Sequence, residues 1–296
     1  MAPREVAGAL IELLSSLEVG SAGDVAAAKA LARLDPVEAV HALRVIVGQA
    51  KASVRAGKAL VLATRALSWG PDEFFSPEER GRVYDAAAEF GVAEVAALFS
   101  SSPPALEVDP NLIEQPDPVI GTLTLGHKKM LARKVDGDRI ARFAMEPDAR
   151  VIRELLLNPR LTEEQVVRIA ARRPARVPVL MEIWRATRWC VRRDVRRALA
   201  MNPYTPPEVG LKILPHLARV DLVAIAGDGA LHEDMRALAK RLAGPGSTRA
   251  SRALDQAAKQ VAQGAQLAGE HDQGQDEHQE DELVAGEVEA GHRKSD

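Results

Sequence analysis

"NPYTPPEV", residues 202–209, has a near twin in "NPRLTEEQV", residues 158–166, and how this pair is read decides the fold. Both have the residues of a helix start. With Thr205 as N-cap, Pro206 becomes the first helical residue, where its missing N–H costs nothing, and Glu208 falls three residues on to close a capping box. Tyr204 and Val209 then flank the cap as a hydrophobic staple. In the twin, Thr162 is the predicted cap, Gln165 its partner three residues on, and Leu161 faces Val166. Asn158-Pro159 and Asn202-Pro203 close the helices before them, because proline pushes the preceding residue out of helical geometry. The predicted unit is a helix, an Asn-Pro turn and a capped helix.

The residues upstream carry the same pattern. "VIRELLLNP" (151–159) and "VRRALAMNP" (195–203) align without a gap, with Val151, Leu155 and Leu156 in one and Val195 and Leu199 in the other at helical spacing. Weaker echoes follow at "RRPARVPVL" (172–180), which lacks the threonine, and at "AIAGDGALHEDM" (224–235), where Gly-Asp replaces Asn-Pro. Short helix pairs recurring in this way predict an all-α chain built as a HEAT-like α-solenoid, in which each unit buries its apolar face only by stacking on its neighbours. Two good caps arising independently are the plain alternative, since capping boxes are common at helix starts.

The run "VRRALAMNPYTPPEVGLKILPHLARVDLVAIAGD" resembles the leucine-rich-repeat-variant and HEAT-like helical repeats of bacterial proteins. With "NPRLTEEQVVRIAARRPA" it is similar to a bacterial helical-repeat family, over about residues 127–243. The resemblance implies a fold and no activity. Some leucine-rich-repeat-variant proteins carry a cysteine-ligated iron–sulfur cluster ahead of the repeats; a chain whose one cysteine is Cys190 lacks the ligands for it.

Composition sets the outer limits. Apolar residues make up 46% of the 296 but aromatics only 3%, a balance of Ala, Leu and Val that suits close-packed helices. No apolar run approaches the roughly 20 residues of a membrane span, and the first residues form an amphipathic pattern without a signal-peptide core. With a single cysteine and no internal disulfide, the expected location is cytoplasmic.

Along the chain, "DPVEAVHALRVIVGQ" opens on Asp35, Pro36 and Glu38, and "SPEERGRVYDAAAEF" repeats the device with Ser76, Pro77 and Glu79. The predicted order is an N-terminal HEAT-like helical array (1–102), a Pro-rich linker or strap (103–126), the helical repeat domain (127–243), a weakly helical extension (244–268) and a disordered acidic tail (269–296). Charge divides along the same boundaries. Residues 127–219 hold 21 Lys and Arg against 10 Asp and Glu, whereas residues 269–296 hold 2 against 10.

Nothing in the sequence has the residue types and spacing of a catalytic, cofactor or metal site. "GTLTLGHKK" (121–129) misses the phosphate-binding loop, because His127 stands where the lysine belongs and Lys128 where the hydroxyl belongs. His271 and His278 have no cysteine partners, and Cys190 reads as a buried, inert thiol, with a nucleophile whose pKa nearby arginines lower as the alternative. Glu163 and Glu164 sit in a helix's first turn, where the dipole favours them.

The candidate binding residues are basic: Lys128 and Lys129, then Arg185, Arg188, Arg192, Arg193, Arg196 and Arg197 within "RATRWCVRRDVRRALAMNP". Arg185, Arg188, Arg192 and Arg196 are at the spacing of one helical stripe, with Arg188, Arg192 and Arg196 expected to point away from the Val195 and Leu199 side. Like charges so spaced repel by about 0.2–0.5 kcal/mol per pair, so the stripe wants anions. Acids on the next repeat, a nucleic acid or other polyanion, an acidic protein surface and the chain's own acidic tail are the occupants this allows. Trp184 and Trp189 read as packing between repeats, with base stacking as the alternative. The sequence leads to a non-catalytic cytoplasmic scaffold that binds another protein, with polyanion binding through the arginines as the alternative.

Overall fold

The computed structural model describes residues 2–109, 117–244 and 252–263, and every regular element among them is helical. The first half contains α1 (Pro3–Ser16), α2 (Ser21–Ala32), α3 (Pro36–Gln49), α4 (Val54–Trp69), α5 (Pro77–Glu89) and α6 (Ala93–Ala96), closed by a 3-10 turn at Ala97–Phe99. The second contains α7 (Leu125–Ala132), α8 (Asp138–Phe143), α9 (Ala149–Leu156), α10 (Glu163–Ala171), α11 (Val177–Arg185) and α12 (Thr187–Cys190). It continues with α13 (Arg193–Ala200), α14 (Pro207–Ile213), α15 (Arg219–Gly227) and α16 (Glu233–Ala243). A last helix, α17, spans residues 252–263.

Local chemistry accounts for several of these starts. Asp35 accepts from the Val37 N–H at the head of α3, with Pro36 as the first helical residue, and Ser76 and Glu79 close a capping box on α5. The stripe Val40, Leu43, Ile46 and Val47 is buried against neighbouring helices. In the first half α1 packs on α3 and α4, α2 on α4, and α3 on α5; in the second α7 packs on α9, α9 on α11, α10 on α13, and α14 on α16. Each half has its own apolar core, but Trp69 and Ala97 of the first lean on the core of the second. α17 returns to the first half: Leu254 is fully buried there, and Asp255 takes Arg44 at 2.7 Å and His41 at 3.2 Å.

The Asn-Pro turns do more than end helices. Asn158 is completely buried, and its Nδ2 donates to the carbonyls of Ala132 and Val135 at 2.9 Å each, where α7 ends. Asn202, equally enclosed, donates to Ala170 at 2.7 Å and Arg172 at 2.9 Å, where α10 ends. Both accept on Oδ1 the N–H two residues on, from Arg160 and Tyr204 respectively. Helix C-termini leave carbonyls without partners, and here a distant side chain supplies the donors.

The registers of the two turns also correct one expectation. Thr162 caps α10 in a capping box with Gln165, but α14 begins at Pro207 with Pro206 in the cap position. Counted from each asparagine, the fourth residue is Leu161 in one turn and Thr205 in the other, both buried, and the fifth is the cap. Thr205 therefore takes the place of a core leucine, its Oγ1 has no partner, and Glu208 turns to Ser101 Oγ at 3.1 Å. The Gly-Asp echo has the same register one residue on from the sequence match, with Asp228 and not Gly227 in the asparagine's place: Asp228 accepts from Ala230, Leu231 is buried, His232 caps and α16 begins at Glu233.

Part of the predicted linker is a strap. Leu106 donates its N–H to the Pro203 carbonyl at 3.1 Å, and Ile120 is buried in the second core. The acidic tail, 269–296, expected to be disordered and one of the possible occupants of the arginines, lies outside the described residues.

Candidate functional site

The arginine segment is not one helical stripe. α11 stops at Arg185, and extended backbone at Ala186 and Arg192 separates α12 from its neighbours. The breaks let Trp189 and Cys190 turn inward, with the indole Nε1 donating to the Leu156 carbonyl at 2.9 Å. Arg196, expected outward, donates from Nε to the Cys190 carbonyl at 2.6 Å, and burial lowers its pKa.

Acids on the same or neighbouring helices meet most of the other cations. Arg193 and Arg197 share the buried Asp221 at 3.5 Å and 2.8 Å, Arg192 faces Glu163 at 3.8 Å, and Arg185 lies 3.4 Å from Glu182. Glu182 in turn takes Arg153 in a two-pronged pair at 2.6 Å and 2.8 Å, which ties α9 to α11. Arg188 donates to the Asn158 carbonyl at 3.2 Å and covers the Trp189 ring at 4.4 Å. Lys128 pairs with the buried Glu146 at 3.0 Å, and Lys129 approaches Glu154 at 4.0 Å. Burial pushes the Cys190 thiol up in pKa against the opposing pull of Arg65 and Arg196. At the near-miss loop, Thr124 caps α7 by accepting from His127, after a turn rather than a strand.

A cleft of about 690 Å³ opens where the halves meet, between α4, α5 and the residues after the 3-10 turn on one side and α11, α14 and α16 on the other. Four aromatic side chains line it, Trp69, Tyr84, Phe99 and Trp184, in a chain with 3 Trp, 2 Tyr and 5 Phe. Trp69 and Trp184 meet across the two halves with ring centroids 6.0 Å apart and planes tilted by 49°. Lys212 on α14 is 6% exposed, and no acceptor among the described residues hydrogen-bonds or ion-pairs with its ammonium. Burial lowers its pKa from 10.5 to about 8, against the raising effect of Glu208 one turn earlier. Three further donors on the cleft's residues, Trp184 Nε1, Ser102 Oγ and Arg80 Nε, are buried without a partner. Arg80 is otherwise engaged, donating from Nη2 to Asp72 at 2.7 Å and to the Gly70 carbonyl at 3.2 Å.

No family model, curated protein or solved structure matches this chain. Among the described residues no group of three or more His, Cys, Asp or Glu side chains is arranged to hold a metal ion, and no helix is long and apolar enough to cross a membrane.

None of the sequence-selected basic residues lines the cleft; Glu208, selected as a helix cap, does. Two signals pointed to it. Lys212 interrupts "VGLKILP" (209–215), an otherwise apolar stretch, and the aromatics are so few that their convergence is informative. Sequence alone could not pair Trp69 with Trp184, which lie in different halves of the chain.

Proposed function

We propose that this chain is a non-catalytic helical-repeat scaffold, an α-solenoid related to the leucine-rich-repeat-variant and HEAT-like repeats, whose function is to hold another protein. The three turns in common register, at Asn158, Asn202 and Asp228, support the repeat arrangement, because each places a buried side chain, a cap and a helix start at the same positions.

The observation that carries partner binding is the outer face of α15. Val220 is 70% exposed and Val223 57%, with Ala224 and Gly227 also exposed on the same side, while Leu222 and Ile225 fill the core. Positions i, i+3, i+4 and i+7 normally form the buried face of a helix, and here an apolar set stands outward. A second protein surface would cover it. The arginines beside it are mostly matched by acids of their own chain, which leaves less charge for a polyanion.

Immobilised full-length protein, wild type or with Val220→Glu and Val223→Glu together, tests this in extracts with and without nuclease. A protein retained by the wild type, kept after nuclease and lost from the double variant agrees with the proposal. Retention that nuclease abolishes, and that the double variant keeps, assigns the surface to nucleic acid instead.

A further inference from the structure

α17 follows the last helix of the second half yet lies on the first, over the side of α3 that carries His41 and Arg44. We propose that α17 is a removable plug, seated in a helix-docking groove of the first half that also accepts an amphipathic helix of another protein, one with a leucine followed by a carboxylate. This surface is independent of the outer face of α15.

The groove asks for an acid. His41 and Arg44, three residues apart on α3, are buried and largely enclosed respectively. Arg4 in the first turn of α1 adds positive charge to the surroundings of His41. Asp255 meets both, at 3.2 Å from His41 Nε2 and 2.7 Å from Arg44 Nη2, and neither has another ion pair among the described residues. An occupant without a carboxylate there would leave an enclosed guanidinium with no counter-charge. Next to the acid the groove takes an apolar anchor, because Leu254 is fully buried and belongs to the core of the first half. Ala258 and Ala262 continue the buried side at intervals of four residues, the pattern by which an amphipathic helix lies in a groove.

Little holds α17 for a helix that touches a core. Leu254 is its one large buried side chain, where α3 buries Val40, Leu43, Ile46 and Val47, and Arg252, Gln256, Lys259, Gln260 and Gln263 are exposed. A helix of this length is marginal by itself. Between α16 and α17 the sequence reads "GPGSTRAS" (244–251), with two glycines and a proline, the residues least suited to carry one helix into the next. α17 is therefore kept in place by these few contacts and by its covalent tether. A short tether supplies roughly millimolar effective concentration. The groove thus stays closed to weak binders and opens to a helix that is better anchored or locally concentrated.

A labelled peptide of residues 252–263, followed by fluorescence anisotropy against full-length proteins, provides the test. Wild type should bind it weakly, because its own α17 competes. Leu254→Arg together with Asp255→Arg, which unseats α17, should bind it at one site and at least tenfold more tightly. Adding Arg44→Glu to that variant should weaken the peptide about tenfold, as expected on losing a charged hydrogen bond. A peptide carrying Asp255→Arg should recover the loss, a rescue that damaged packing would not allow. Hydrogen exchange on the wild type reads the same device without any substitution: α17 amides should open well before those of α3. Exchange of α17 only on global unfolding, collapse of the first half in the unseated variant, no saturable binding to that variant, equal affinity for it and for wild type, or no rescue by the reversed charges would each overturn the proposal.

Discussion

Asn158 and Asn202 show how much one buried amide can organise. Each makes two donor bonds to a helix end more than 20 residues away and one acceptor bond to its own turn. Alanine at either position strands two buried carbonyls, so Asn158→Ala and Asn202→Ala should each lower stability by about 2–4 kcal/mol, read as a shift in the urea midpoint at unchanged slope. Aspartate should be worse, because it brings a buried charge and no donors. Asp228 fits this logic: at the third turn only the acceptor role is filled, and a carboxylate suffices for it. Lys212 illustrates the opposite balance, a residue that costs stability where it sits. Its folded pKa of about 8 lies below the ordinary 10.5, so below about pH 8 it is charged in both states and the full cost of enclosing the charge applies. Lys212→Met should therefore raise stability by about 2–3 kcal/mol at neutral pH. The gain should shrink between about pH 8 and 10.5 and vanish above, where the unfolded lysine is neutral as well; a gain independent of pH would trace it to packing instead.

At the scale of the helix, the sequence was most legible where the signal is local. Asp35, Ser76 and Thr162 cap the helices they were expected to cap, since a cap needs only residues within one turn of each other. Thr205 failed because matching letters is not matching register: alignment on the asparagines puts it on Leu161, in the core. The two threonines should thus respond differently. Thr162→Ala removes a cap and should cost about 1 kcal/mol, whereas Thr205→Val replaces an unpartnered buried hydroxyl by a methyl and should be neutral or stabilising in the same urea melt. Equal losses at both would restore Thr205 as a cap. The arginine segment was misread for a related reason. A 3.6-residue spacing describes a stripe only while the helix continues, and here the helix stops twice to send Trp189 and Cys190 inward. The cleft was illegible by pattern altogether, because its walls come from α4 and α5 in one half and α11 and α14 in the other.

Across the whole molecule, enclosed titratable groups and a shared seam link stability to conditions. His216 follows α14, with Nε2 closed off and unpartnered, and burial, helped by Arg196, holds its pKa well below 6.5. The folded state therefore resists protonation that the unfolded chain accepts, and this contribution is whole above pH 6.5 and lost as pH falls toward the folded pKa. Stability should drop by up to about 1.4 kcal/mol per pH unit from this residue below that point, and His216→Gln should flatten the decline in melts recorded across that range. The seam is built on Arg65 of α4. Its Nε and Nη2 clasp Asp24 at 2.9 Å each, while Nη1 reaches across to the Arg185 carbonyl at 3.0 Å, beside the Trp69–Trp184 contact. A guanidinium that serves both halves at once makes the unfolding of either a loss to the other, so the wild type should unfold in one step, with tryptophan fluorescence and far-UV circular dichroism tracing the same curve. Arg65→Met would leave Asp24 enclosed without a counter-charge, at a cost of about 3–5 kcal/mol, and would free the Arg185 carbonyl. The cost falls first on α2 and α4, so with Trp69→Phe as a common background, which leaves Trp184 and Trp189 of the other half as the fluorescent reporters, this variant's circular dichroism curve should begin to fall at lower temperature than its fluorescence. Coincident curves in the variant would mean that the apolar contacts across the seam couple the halves without the arginine, and separated curves already in the wild type would mean that the halves were never one cooperative unit.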